Sequence, residues 1–402
     1  ILLDEFKYFI APLVFLRDLT KIHFKNFAPY CVCNLIHFMV KTIPRVTIFI
    51  LEGYNAIVPE QLRLDRLESN LPLSFIFKNC SLPGKTTQQL FLQFKQSNVE
   101  LQRLSLIDFK MSTKRFRLLG EVIQSRPFRT MEIFELNELP STKFHETHII
   151  QLLTLLRHHC RFLSRLAISN WSKPITVYME NFQNFGFLNE IEIDGHTMTH
   201  IIPESLIISK RINRMNFSKC VFTFDSLKSL FLNLSKRTHN VSLSLADLQI
   251  ESMTWSSFYS ELRLLTPVKC LKELDWSGNL LTTSTVQAFF DFFFQTKSIL
   301  FLKLDRLFNL YNLDTLEQLL GLISKTNLFG LSLNGYHDRN FSGNGAELVT
   351  VLKTNPNLAI IHLNDQQFTD TDVGSLISYF QMSKQLFEIS CDGTSIGSHT
   401  VF

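Results

Sequence analysis

One spacing of apolar residues restricts this chain more than any other feature in it. The segment Leu271-Lys-Glu-Leu274-Asp-Trp276-Ser-Gly-Asn279-Leu-Leu281 fits the pattern L-x-x-L-x-L-x-x-N-x-L. The same frame fits Ile212/Met215/Phe217/Cys220/Phe222, Leu188/Ile191/Ile193/Met198 and Leu358/Ile361/Leu363/Phe368. Its starts fall at 19, 45, 72, 101, 128, 163, 188, 212, 240, 271, 299, 328, 358 and 386, a mean step of about 28 residues. A chain that restarts one motif this regularly is expected to stack small units along a line, each burying its apolar side against the next.

Within one frame, positions four and six alternate with polar neighbours and predict a short strand with one face buried. Because every repeat runs the same way, the strands are expected to stack in parallel. Position nine turns the chain inward, and a polar side chain there can pair backbone groups that would otherwise be buried without partners. Asn279, Cys80 and Cys220 occupy it; Phe109, Trp171, His196, Leu307, Tyr336, Gln366 and Thr394 hold it elsewhere.

The second half of a repeat predicts a helix. Leu227/Leu230/Phe231/Leu234, Leu316/Leu319/Leu320/Ile323, Val373/Leu376/Ile377/Phe380 and Ile149/Leu152/Leu153/Leu156 are each spaced as one apolar stripe. Ser284 and Asp314 are expected helix caps, and Pro356 follows the helix that starts near Gly345. A helix is thicker than the strand spacing of about 4.8 Å, so such wedges should curve with their strands on the inside.

Composition agrees with a packed protein: 45% of residues are hydrophobic and 19% charged, which excludes general disorder. The net charge of +4 is too small a bias for a nucleic-acid footprint. Seven cysteines over such a length do not form the dense, paired set of a disulfide framework, which favours a reducing, cytoplasmic setting. Asn-x-Ser matches at Asn79, Asn170, Asn216, Asn233, Asn240 and Asn340 matter only if the chain is secreted. No apolar run reaches the ~18 residues of a membrane helix; Phe289–Phe294 is short and contains Asp291. A start at Ile1 and a stop soon after a predicted strand suggest a piece of a longer protein.

These repeats resemble the ribonuclease-inhibitor-like class of leucine-rich repeat proteins over nearly the whole chain. The resemblance implies a right-handed α/β solenoid: a horseshoe with parallel strands on its concave face and helices on its convex face. Residues 1–402 would form a single domain of about fourteen repeats, with 1–18 as the N-terminal helix of a preceding repeat or cap. Within the class, Leu274-Asp-Trp276-Ser-Gly-Asn279 and Leu331-Ser-Leu333-Asn-Gly335 resemble the repeat domain of the CARMIL family, cytoskeletal linkers that regulate actin capping protein. That family acts on capping protein through a separate basic, Pro-containing segment after the repeats, and no such segment is present in this sequence. The resemblance therefore implies a scaffold.

Local motifs for chemistry are weak. Gly84-Lys85-Thr86 lacks the glycine five residues earlier that a phosphate loop needs, the place being taken by Asn79. His145-Glu146-Thr147-His148 spaces its histidines by three, not the four that put two rings on one zinc, and reads with His158 and His159 as a polar helix surface. Cys31-x-Cys33 has no second pair, and Cys391 at position six reads as core. No catalytic, cofactor or metal residue is assigned.

The candidate site is the strand surface. Residues at positions three, five, seven and eight point away from the core. They include Glu190, Glu192, Asp194, Glu273, Asp275, Asp305, His362, Asp365, Glu388 and Asp392, with Lys21, Lys25, Lys78, Arg103 and Arg165 toward the N-terminal end. Phe49, Leu51, Ile76, Ile107, Phe134 and Phe301 also fall on it, and aromatics beside charges are what interface centres use. A register slip of one residue would exchange the two faces. The partner-binding set is Glu192, Asp194, Glu273, Asp275, Phe301, Asp305, His362, Asp365 and Asp392.

The expected function is non-catalytic protein binding, with no nucleic acid, no membrane insertion and no small-molecule cofactor. The alternatives are a GTPase-activating protein of the Ran type, whose repeats look alike, or an extracellular pattern-sensing domain. Leu274→Asp is expected to destabilise the chain by more than about 3 kcal/mol, because it places a charge in the apolar strand face. A circular-dichroism melt identical to that of the parent would refute the strand assigned there.

Overall fold

The computed structural model describes residues 18–26, 29–54, 64–82, 84–109, 112–137, 146–169, 179–182, 184–198, 201–251, 254–295, 297–306, 313–336, 345–355, 357–383, 386, 388–393 and 395–396. They fall into two compact units, Ile1–His196 and Thr197–Phe402. Met111, His145, Asn170, Trp171, Leu307, Asn340, Pro356, Thr394 and the proposed cap at 1–17 lie outside the described residues, as do the side chains of Cys31, Cys33, Asp314 and Leu316.

In the first unit, seven strands follow one another in sequence and in space: Lys21–Lys25, Ile48–Glu52, Leu73–Lys78, Leu101–Ile107, Ile133–Asn137, Arg165–Ser169 and Glu190–Asp194. All neighbours are parallel, and their register places like positions side by side. Phe49, Phe75, Leu104, Phe134, Leu166 and Ile191 form the position-four row, and Leu51, Phe77, Leu106, Leu136, Ile168 and Ile193 the position-six row. Every one of these side chains is buried. Helices Pro29–Thr42, Gly84–Gln96, Thr113–Ile123 and Glu146–His159 alternate with the strands, and Phe91, Phe94, Leu119, Leu152 and Leu156 are buried on them. Phe94 meets Phe75 edge-on at 5.5 Å, so phenyl rings fill the layer that leucine fills elsewhere.

The second unit repeats the plan with shorter strands: Arg214–Asn216, Val241–Ser244, Leu271–Asp275, Phe301–Lys303, Gly330–Ser332, Ile360–His362 and Glu388–Ser390, parallel throughout. Met215, Leu243, Leu274, Leu302, Leu331, Ile361 and Ile389 make its position-four row. A second short sheet of Thr197–Met198, Val221–Thr223 and Gln249–Glu251 aligns Met198, Phe222 and Ile250 at position eleven. Trp276 at position six lies in an aromatic cluster with Phe289, Phe293 and Tyr259, and its indole N–H donates to the Tyr259 hydroxyl at 2.9 Å. The parallel strands, the like-on-like register and the alternating helices make this an α/β leucine-rich repeat fold.

Position nine behaves as the turn chemistry requires. Asn279 Nδ2 donates to the Leu245 carbonyl and its Oδ1 accepts from the Leu248 N–H, both at 2.7 Å. Gln366 reaches the Leu333 carbonyl, His196 the Ile168 carbonyl and Cys80 the Leu51 carbonyl. In each case the acceptor is the position-six residue of the preceding repeat. Tyr336, at the same position, is 54% exposed instead.

Position eight carries a rule the repeat pattern did not disclose. Asn26, Gly53, Asn79, Asp108 and Gly195, and in the second unit Lys219, Asp247, Gly278, Arg306, Asp365 and Gly393, all have φ between 50 and 79°. Asn, Asp and Gly tolerate this left-handed conformation best. At Gly278 a Cβ would also lie 1.9 Å from Asp247 Oδ1.

Several expectations are corrected. The frame begins at Val46, not 45, so Phe49 and Leu51 are core residues and Arg45 is spared burial. The frame expected at 128 begins at Met131, because Arg126–Phe128 forms an intervening 3-10 turn; Phe134 is therefore core. Thr282, not Ser284, caps helix Thr283–Phe293, in a reciprocal box with Thr285. Helix Leu313–Ile323 starts one residue before Asp314. The buried stripe of Asp370–Met382 is Val373, Leu376 and Tyr379, while Ile377 and Phe380 are half-buried. Cys391 is exposed rather than core, since among the described residues no strand follows Glu388–Ser390 in the main sheet. His148 is buried, its Nε2 accepting from Arg117 Nε at 3.3 Å, and so is not a surface residue.

Burial pushes the His196 imidazole down from 6.5 to about 4. Between those values the unfolded chain binds the extra proton, so stability rises with pH across the window and is lost as pH falls. Taking the protein from about pH 7 to about pH 4 is expected to remove about 2–3 kcal/mol through this group. His196→Asn, which retains a donor for the Ile168 carbonyl, should remove that part of the slope in urea titrations.

Candidate functional site

The strand face of the first unit is more closed than the period implies. Along position five, Ile50, Ile76, Ser105, Glu135 and Ala167 are all buried, which corrects the placing of Ile76 on an open ribbon; Ile107 is half-buried. Glu135 is covered from position three. Arg103 Nη2 lies 2.6 Å from Glu135 Oε2, and Arg165 Nη2 lies 3.2 Å from Glu135 Oε1. Ser105 donates to the same carboxylate. Arg165 also reaches Glu190 at 3.5 Å and Glu192 at 2.8 Å. Burial raises the Glu192 carboxyl above its ordinary range, although Arg165 pulls it down. Asp194 stands half-buried at the end of the same strand. Lys25 bridges to Glu52 at 3.1 Å. Lys25, Arg103 and Arg165 are thus held by acids of neighbouring strands. Glu135 escaped sequence reasoning because the frame placed at 128 put it in a turn.

In the second unit, several candidate acids serve the backbone. The side chain at position seven accepts the position-seven N–H of the next repeat. Ser218 Oγ takes it from Ala246 at 3.3 Å, Ser277 Oγ from Asp305 at 3.1 Å and Asp305 Oδ1 from Asn334 at 2.8 Å. Asn334 Oδ1 takes it from Asn364, and Asn364 Oδ1 from Asp392, both at 2.7 Å. Ala246 cannot accept, and there Asp275 Oδ1 takes the Ser277 N–H at 3.1 Å. Asp305 further accepts from Ser332 and from Asn334 Nδ2. Burial raises its carboxyl even against these donors. The recurrence of Asp305, Asn334, Asn364 and Asp392 at one position was the available signal.

The other candidates form a cluster on the outer side of the strands. The Phe301 ring lies over Gly330, where a Cβ would sit 2.2 Å from the ring. The His362 ring lies 5.9 Å from it, and Lys303 Nζ sits over its face at 5.6 Å. Lys303 bridges to Glu273 at 3.1 Å, and His362 reaches Glu388 at 3.2 Å. The structure thus brings Glu273, Phe301 and His362 together with Glu388. It separates them in role from Asp275 and Asp305, which hold the backbone, and from Asp365, an exposed turn residue with φ 53°. Among the described residues no group of His, Cys, Asp and Glu is placed to hold a metal ion. None of their helices is long and apolar enough to cross a membrane.

The stacking of parallel strands with alternating helices defines an α/β leucine-rich repeat fold. No known family model matches the chain, and no curated protein matches it. Among solved structures it is similar to an internalin (inlF) from Listeria monocytogenes str. 4b F2365. The two share 12% identity with a TM-score of 0.36, over 93% of this chain and 87% of that one.

The position-seven bonds give a direct test. Asp305→Ala should cost about 2 kcal/mol, because the Asn334 N–H and the Ser332 hydroxyl lose their acceptor. Asp305→Asn, which keeps one carbonyl oxygen, should cost less. Equal melting of both variants and the parent would remove the structural role.

Proposed function

We propose that this chain is a non-catalytic protein-interaction scaffold that presents the outer face of its strands to a protein partner. The observation that carries this reading is the Phe301 cluster. An aromatic ring is packed against a glycine and flanked by Lys303, His362, Glu273 and Glu388, none of which the backbone requires. Interfaces concentrate their energy on aromatic anchors ringed by polar groups. Neither a nucleic acid nor a small-molecule cofactor is part of the proposal. The finer reading, from the resemblance to the CARMIL repeat domain, is a cytoplasmic regulator of the actin cytoskeleton.

Immobilised protein is expected to retain a defined partner from cytosolic extract. Phe301→Ala combined with Glu388→Lys should abolish that retention without lowering the melting temperature. Lys228→Glu, on a helix, should leave it unchanged. Equal recovery by the face variant and the parent would sink the proposal. Cytoskeletal proteins in the retained fraction would support the finer reading, and their absence would leave only the coarser one.

A further inference from the structure

Parallel strands with a helix between each pair bring every helix C-terminus and every following strand start to one edge of a unit. In the second unit these helix-to-strand links are 208–213, 237–240, 263–270, 294–300, 324–329 and 355–359. None contains an Asp or Glu, yet they hold Lys210, Arg211, Arg263, Lys269, Lys297 and Lys325, all exposed. The links form one continuous edge. The Leu300 N–H donates to the Lys272 carbonyl, Phe329 to Leu300 and Ala359 to Phe329, at 2.8–2.9 Å. The opposite edge, where strands run into helices, carries Asp247, Glu251, Asp365, Asp370 and Asp392 beside Lys219 and Arg306.

Bases beside helix C-termini commonly offset the helix dipole. That accounts for Lys236 and Lys353, which sit in last helical turns. Arg263, the C-cap residue of helix Trp255–Leu262, can serve the same role, but Lys269 and Lys297 lie seven and four residues past the ends of Trp255–Leu262 and Thr283–Phe293, too far to offset their dipoles. Their positive charge lies beyond the helix, out on the edge. Apolar side chains stand beside it: Leu264 is 77%, Phe329 47% and Leu300 42% exposed. Between two of the links lies a recess of about 330 Å³ lined by Phe290, Phe294, Ile299 and Leu322 together with Lys297 and Lys325. The acids nearest the edge are Glu388, whose N–H donates to the Ala359 carbonyl and whose carboxylate reaches His362 at 3.2 Å, Glu261, in the last turn of its helix, and Asp291, which lines the recess and accepts from Gln287 at 2.6 Å.

We propose that this basic, apolar-studded edge docks the protein peripherally on a bilayer surface rich in anionic phospholipid. A row of lysines and arginines meets phosphate and carboxylate headgroups at many equivalent points and needs no shaped counterpart. The exposed Leu264, Leu300 and Phe329 enter the headgroup layer, as apolar residues of interfacial elements do. The recess accepts the boundary between one headgroup and its acyl chain. This surface borders the strand face, Leu300 and Phe329 being chain neighbours of Phe301 and Gly330, but it does not depend on the partner-binding reading.

The test is co-sedimentation of the full chain with phosphatidylcholine vesicles, with and without phosphatidylserine. Binding is expected only when phosphatidylserine is present, and it should fall steeply as salt is raised. Lys297→Glu with Lys325→Glu should weaken it about ten-fold or more. Leu264→Ser with Phe329→Ser should remove the fraction that survives high salt. Lys228→Glu, one such charge reversal on a helix elsewhere in the unit, should leave binding unaltered. Equal sedimentation with both vesicle types, or unchanged binding by the double Glu variant, would overturn the proposal. So would polyglutamate or DNA competing as well as the vesicles do, since the edge would then be a generic site for acidic polymers.

Discussion

The fold depends on pairing backbone groups in turns that have no partner within their own repeat. Parallel strands satisfy one another along their length, but the chain must leave each strand and cross to a helix while still partly buried. Two sets of side chains solve this. Those at position nine donate to the position-six carbonyl of the preceding repeat, as Asn279, Gln366 and His196 do. Those at position seven accept an N–H from the following repeat, as Ser277, Asp305, Asn334 and Asn364 do. Each repeat is tied to its neighbour in both directions, and an unpaired group at such a depth would cost more than most single contacts return.

This arrangement limits what is left for recognition. A charged residue on the strand side of a repeat protein invites a binding interpretation, but in the second unit Asp275 and Asp305 are occupied by backbone and hydroxyl donors. In the first unit Glu135 is enclosed by Arg103, Arg165 and Ser105. What remains is a smaller set whose geometry folding does not demand: Phe301 over Gly330, with Lys303, His362, Glu273 and Glu388. Lys269 and Lys297 in the links of the second unit have the same character, since they lie too far past their helix ends for the helix dipole to explain them.

The period, the strand positions and most helix stripes were legible because burial selects apolar residues at fixed spacing, and spacing survives in a sequence. Leu227, Leu230, Phe231 and Leu234 are buried as their spacing requires. The slip at 128 comes from the 3-10 turn Arg126–Phe128, which repeat spacing does not announce, and the slip at 45 from the strand's own composition. Apolar residues fall on both sides of the strand Ile48–Glu52, as with Phe49, Ile50 and Leu51, so alternation alone cannot choose a face there. The cap at Thr282 was missed because Thr282, Thr283 and Ser284 are all competent, and only the path of the chain selects one.

By itself the sequence determined that near-identical wedges stack, which residues line their shared core, and that chemistry is not written in any local motif. These follow from short-range periodicity, which each repeat restates. Tertiary structure alone decided which polar residues were free. Whether Asp305 faces a partner or a neighbouring N–H, and whether Arg165 is a lone base or the centre of a charge network, depends on residues about one repeat away. Only the stacking of one repeat on the next brings those groups within a hydrogen bond of each other.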